Sequence, residues 1–146
     1  MNTKRLLLAI LAAFITRWLT DFLIHGVWML PVYKATASLW RSEPDMEGHM
    51  GWFLAGQLLD AAAVVLIWVK GFAQGATVKC GALYGLFMGL FGQAYTFVMF
   101  AVQPLTQEIV WKWFAGGLLQ GVAVGIVTSL VYKPAARAGE PTLPPL

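Results

Sequence analysis

Charge is scarce in this chain: Asp, Glu, Lys and Arg make up 12% of 146 residues, about half the share of a soluble domain. Hydrophobic residues make up 59%, more apolar side chain than a soluble globule of this size can cover. The net charge of +3 is too small to draw nucleic acid, and no nucleic-acid partner is expected. A single cysteine, Cys80, excludes an internal disulfide, a Cys-x-x-Cys redox pair and a thiolate zinc site. It reads as a small residue at a helix start. No His-Glu-x-x-His, Gly-x-Ser-x-Gly or phosphate-binding glycine loop occurs, so no catalytic residue, metal or cofactor is assigned. Alternating polar and apolar runs of about ten residues are missing too, which argues against the strands of a membrane barrel.

What the chain does have is four long apolar runs, at about 6–30, 51–69, 81–102 and 109–131. Each is long enough to cross a bilayer at about 1.5 Å per residue. The expected fold is all-α, a polytopic transmembrane bundle of four helices in one domain, 1–132. Pro31 is expected to close the first span and Pro104 the third. Lys4 and Arg5 before an apolar run mimic a signal peptide. Arg17 and Asp21 stand where a cleavage site belongs, so an uncleaved helix is expected. The tail 133–146, with Pro134, Pro141, Pro144 and Pro145, has the composition of a disordered segment.

The basic residues fall unevenly. Lys4, Arg5, Lys70, Lys79, Lys133 and Arg137 lie on one side of the four spans. Lys34, Arg41 and Lys112 lie on the other, against Glu43, Asp45, Glu47 and Glu108. The positive-inside rule then puts both termini in the cytoplasm. Trp28, Tyr33, Trp52, Trp111 and Trp113 fall at the opposite boundary, where an interfacial aromatic belt is expected. In the outer loop, 32–50, Leu39 and Trp40 beside Lys34 and Arg41 predict a short surface helix. Residues 42–47 predict a turn leading into the acidic first turn of span two. Glu43, Asp45, Glu47 and His49 offer metal ligands there, but a solvated acidic turn is the favoured reading.

Each span also carries polar residues near its middle. Arg17, Asp21 and His25 recur every four residues on one face of span one, with Trp28 beyond them. His49, Phe53, Gln57 and Asp60 form a similar stripe on span two. By helical rise, Arg17 lies about 16 Å from one boundary and Asp60 about 14 Å from the other. Gln93 and Gln120 sit at similar depth, with His25 and Gln57 displaced outward. Charges at that depth face one another inside a bundle. The expected polar core therefore joins Arg17 to Asp21 and Asp60, since one guanidinium can serve two carboxylates. The two glutamines are expected to bond to that cluster. With both aspartates ionised it carries one excess negative charge. A register lock and a ligand or ion site stand as equal alternatives.

Gly81, Gly85, Gly89 and Gly92 line span three, and Gly117, Gly121 and Gly125 line span four. Small residues at this spacing let helix backbones approach closely, within the chain or between subunits. The plan of four helices, with a charged first span and glycine-rich last two, resembles small uncharacterised inner-membrane proteins of bacteria. The resemblance implies a bacterial inner-membrane location and no chemistry. Three functions follow in order of support: a non-enzymatic accessory or structural subunit, a small proton-coupled or solute transporter using the polar layer, and a membrane enzyme acting on a lipid or quinone headgroup. The lipid bilayer is one partner; a homo-oligomer and a larger membrane complex both stay open.

Overall fold

The computed structural model describes residues 2–74 and 76–133; most of the proline-rich tail lies outside the described residues. Helix α1 spans Thr3–Asp21, and the Asn2 side chain caps it by accepting the Arg5 N–H at 3.1 Å. It runs without a break into a π-helical segment, Phe22–Trp28. There the backbone reaches back five residues, as Met29 N–H does to the Ile24 carbonyl at 2.8 Å. Pro31 does not close this span. It stands in the first turn of a further short helix, α2 (Leu30–Ala35), where its missing N–H leaves no helical bond unmade.

The loop 32–50 is more structured than its sequence implied. After α2 come a 3-10 turn at Ala37–Leu39 and a separate short helix, α3 (Glu43–Gly48). The acidic stretch is thus its own helix and not the first turn of span two, because the backbone breaks at His49. Arg41 donates to Asp45 Oδ2 at 2.8 Å and holds that carboxyl below its ordinary range.

Helices α4 (Met50–Gly71), α5 (Val78–Val102) and α6 (Gln107–Val131) complete the fold. Thr77 caps α5 by accepting the Cys80 N–H, and Thr106 caps α6 by accepting the Ile109 N–H, each at 3.3 Å. Glu108 lies in the first turn of α6, where a helix favours negative charge, and pairs with Lys112 at 2.7 Å. Thr3–Trp28, α4, α5 and α6 are each long and apolar enough to cross a membrane. Leu59, Phe91 and Leu119 are among many large apolar side chains left bare on their outer faces, which bilayer hydrocarbon covers. The chain is a multi-pass membrane protein.

The four spans pack as a bundle around α1 and α6. Helix α6 packs against α5 on one side and α1 on the other, and α4 packs on the far side of α1. The closest approach is between α5 and α6. A methyl group on Gly85 would lie 2.8 Å from the Gly121 carbonyl carbon, and one on Gly121 would lie 2.5 Å from the Gly85 carbonyl oxygen. Gly89 sits in the same way against Gly117 and Gly121, and Gly125 against Gly81 and Gly85. Gly92 faces open space. The residue that continues the stripe of Gly81, Gly85 and Gly89 is Gln93, four positions on.

Two apolar clusters hold the ends. At the end carrying the termini, Leu6, Ala9 and Ala13 of α1 meet Ala61, Val64, Val65 and Trp68 of α4. Three fully buried alanines let these two backbones close together. Tyr84 of α5 joins this cluster and donates its hydroxyl proton to the Val64 carbonyl. Arg5 reaches the Lys133 carbonyl at 2.6 Å, tying the start of α1 to the end of α6. At the other end Met29, Val32 and Ile109 are buried beneath Tyr33, Leu39, Trp40 and Trp113.

Candidate functional site

The polar residues at mid-depth meet on α1. Arg17 donates from Nη1 to Asp60 Oδ2 at 2.6 Å and from Nε to Gln57 Oε1 at 2.7 Å. The other end of the Gln57 amide donates to Asp21 Oδ2. Gln57 therefore bridges a cation and an anion that share a helix face in the less favourable order, cation first. From the opposite side the Gln120 amide nitrogen donates to Asp21 Oδ1 at 2.6 Å. It also reaches the Thr20 hydroxyl at 2.9 Å and the Arg17 carbonyl at 3.2 Å. Two glutamines from two helices thus clamp one aspartate.

Beyond Asp21 lies the π-helical turn. His25 Nε2 is 3.9 Å from Asp21 Oδ1, and His25 Nδ1 is 2.6 Å from the Tyr33 hydroxyl. That hydroxyl already accepts the Trp113 indole N–H at 2.7 Å. The hydroxyl has a second acceptor site and one proton of its own, so the imidazole tautomer sets which of Tyr33 and His25 donates. Burial raises the Tyr33 phenol above its ordinary range, opposed by the Trp113 hydrogen bond. Trp40 packs edge-on against Tyr33, with ring centres 5.1 Å apart, and donates to Thr36 at 2.9 Å. Of the five residues expected in an outer aromatic belt, Trp28, Trp52 and Trp111 are exposed. Tyr33 and Trp113 turn inward, because each has a polar tip that the histidine site satisfies.

Gln93 takes no hydrogen bond from the Arg17 cluster. Its side chain lies over Gly117, and its amide oxygen accepts the Thr96 hydroxyl at 2.7 Å. The α5 glycine stripe points at α6, and Gln93, as its fourth member, points there too. Gln93 does share a cavity of about 240 Å³ with part of the cluster, lined by Asp21, Ile24, His25, Thr96, Trp113, Gly117 and Gln120. His49 stays outside at the surface, where it bonds the Asp45 carbonyl at 2.7 Å. Among the described residues, no three His, Cys, Asp or Glu side chains stand together as metal ligands.

Thr20 and Thr96 join the site without having been singled out in the sequence, and Tyr33 and Trp113 join it from the expected aromatic belt. Only Thr20 carried a local signal, since it adjoins Asp21. The others arrive through the α2 turn and through pairing of helices far apart in the chain. No family model matches the chain, and no curated protein or solved structure is similar to it.

The arrangement has a definite chemical limit. Tyr33 and His25 share a hydrogen bond, but His25 Nε2 stands 3.9 Å from Asp21, beyond hydrogen-bond reach, and the next links toward Asp60 are a glutamine amide and a guanidinium. Neither gives up a proton at ordinary pH. The polar chain is thus a fixed hydrogen-bond scaffold from Gln57 onward.

Proposed function

We propose that this protein is a non-enzymatic membrane subunit. In this reading it works in lateral contact with another transmembrane segment, through the side of α4 that carries Asp60. One observation supports this best. The Asp60 side chain is 48% exposed, yet it stands ten residues from Met50 and eleven from Gly71 in α4, about 15 Å from either end. A carboxylate at that depth costs roughly 2.5–3.5 kcal/mol on insertion scales. Arg17 offsets part of this and leaves the other flank bare. A hydrogen-bond donor on a neighbouring helix, from a second copy or a different protein, would cover it. The fitting setting is a bacterial inner membrane, with residues 1–132 as the membrane domain.

Gentle extraction without cross-linking should bring out the wild-type chain with a stoichiometric companion or as a defined oligomer. Asp60→Leu should release it. A strictly monomeric wild-type protein in native-lipid discs would remove the reading.

The charge bias supports an orientation with both termini cytoplasmic. Reporter fusions after Lys70 and at Leu146 should then report cytoplasm, and a fusion after Glu47 the opposite side. An exterior signal from the Leu146 fusion would reverse the assignment. A second reading, a small solute carrier, draws on the cavity beside His25.

A further inference from the structure

The charges of the polar core do not cancel where they stand. Arg17 gives its guanidinium to Asp60 and to a neutral glutamine. Asp21 receives the amides of Gln57 and Gln120, with His25 Nε2 3.9 Å from its Oδ1. Asp21 is thus the core carboxyl that no guanidinium meets, and it lines the cavity between α1, the π-helical turn, α5 and α6. A carboxylate has room for about four hydrogen bonds, and these two amides leave part of that capacity unused.

The rest of the lining fits a cation as well. The Gln120 amide spends its nitrogen on Asp21, Thr20 and the Arg17 carbonyl, and its oxygen has no hydrogen-bond partner among the described residues. The Gln93–Thr96 pair can turn either an amide oxygen or an amide N–H toward the cavity, since a hydroxyl serves as donor or acceptor. Trp113 supplies an aromatic wall, and such faces attract cations. Size then selects the kind of cation. The cavity volume is about 240 Å³. That is too large for a bare metal ion and smaller than the usual pocket for a drug-sized ligand.

We infer that this cavity is a binding site for a small organic monocation of the primary ammonium type, with Asp21 as its counter-ion, the Gln120 amide oxygen as second acceptor and Trp113 as wall. None of the lining residues comes from α4, so the site is separate from the exposed flank of Asp60 and stands whether or not a partner helix covers that flank.

The test uses the full-length protein in nanodiscs of phosphatidylcholine, whose neutral surface does not concentrate cations. Propylammonium chloride is compared with 1-propanol and with sodium chloride at equal concentration. Readouts are tryptophan fluorescence and the thermal unfolding midpoint. Propylammonium should bind saturably and raise the midpoint, and propanol and sodium should not. Asp21→Asn should weaken binding at least tenfold. Because Asp21→Asn also disturbs the clamp, Thr96→Leu, which fills the cavity and leaves Asp21 in place, should weaken it comparably while helical content is retained. Equal effects of propanol and propylammonium would overturn the assignment. So would a wild-type protein indifferent to propylammonium, or undiminished binding by both variants.

Discussion

Gly121→Leu should separate α5 from α6. Its first added carbon would lie 2.5 Å from the Gly85 carbonyl oxygen and 2.9 Å from Gly89 Cα. Both are backbone atoms of a helix that cannot rotate a side chain out of the way. Overpacking a core with flexible neighbours costs about 1–3 kcal/mol; against two backbones the loss should exceed that range. Gly85→Leu should match it, meeting Gly121 from the other side. Gly117→Ala should do much less, because the neighbour it meets is the Gln93 side chain, which can swing away. Gly92→Leu should be silent, with nothing within 4 Å. Equilibrium unfolding of the four variants in mixed micelles gives the order directly. Equal losses for Gly92→Leu and Gly121→Leu would mean that α5 and α6 do not meet along these glycines.

A second large effect is expected at the midplane ion pair. Arg17→Gln removes the one side-chain partner that Asp60 has among the described residues and should cost about 3–5 kcal/mol, as does breaking buried pairs in soluble proteins. Asp60→Asn should cost less, since the guanidinium keeps Gln57 and gains an amide oxygen. The double variant, Arg17→Gln with Asp60→Asn, should recover much of the Arg17→Gln loss, because two neutral amides can bond each other. The coupling is read from a double-mutant cycle. Simple additivity of the two losses would show that the residues do not interact. A double variant that folds normally yet fails to retain its companion would assign the pair to the interface more than to stability.

Depth was the most legible coordinate in the sequence. Helical rise alone put Arg17, Asp60 and Gln120 at one level, and Arg17 and Asp60 lie 2.6 Å apart. Azimuth was less legible. Gln93 has the right height, but which way α5 turns is decided by its glycines, and they aim it at α6. The same ambiguity put Gly92 on the packed face, when the four-residue step from Gly89 leads to Gln93. The loop 32–50 was least legible, because its composition fits a surface helix, a turn and a cap equally well. Its folding back, which brings Tyr33 onto His25, depends on the long-range contact with Trp113 and leaves no periodic trace. The four spans themselves were plain, since hydropathy needs no knowledge of neighbours.

The glycine ladder has a kinematic side. Between Gln93, seated over Gly117, and Ser129, seated against Gly81, the rungs are glycines on both helices. A slide of α5 along α6 by one rung, four residues or about 6 Å, would set glycine opposite glycine again over part of the ladder. Helix α1 has no such freedom, being bolted to α6 through Gln120. On α5 the Tyr84 hydroxyl, bonded to the Val64 carbonyl of α4, opposes that slide. Because Gln93 and Thr96 belong to α5 while Asp21 and His25 belong to the first span, any displacement of α5 would reshape the cavity they line together.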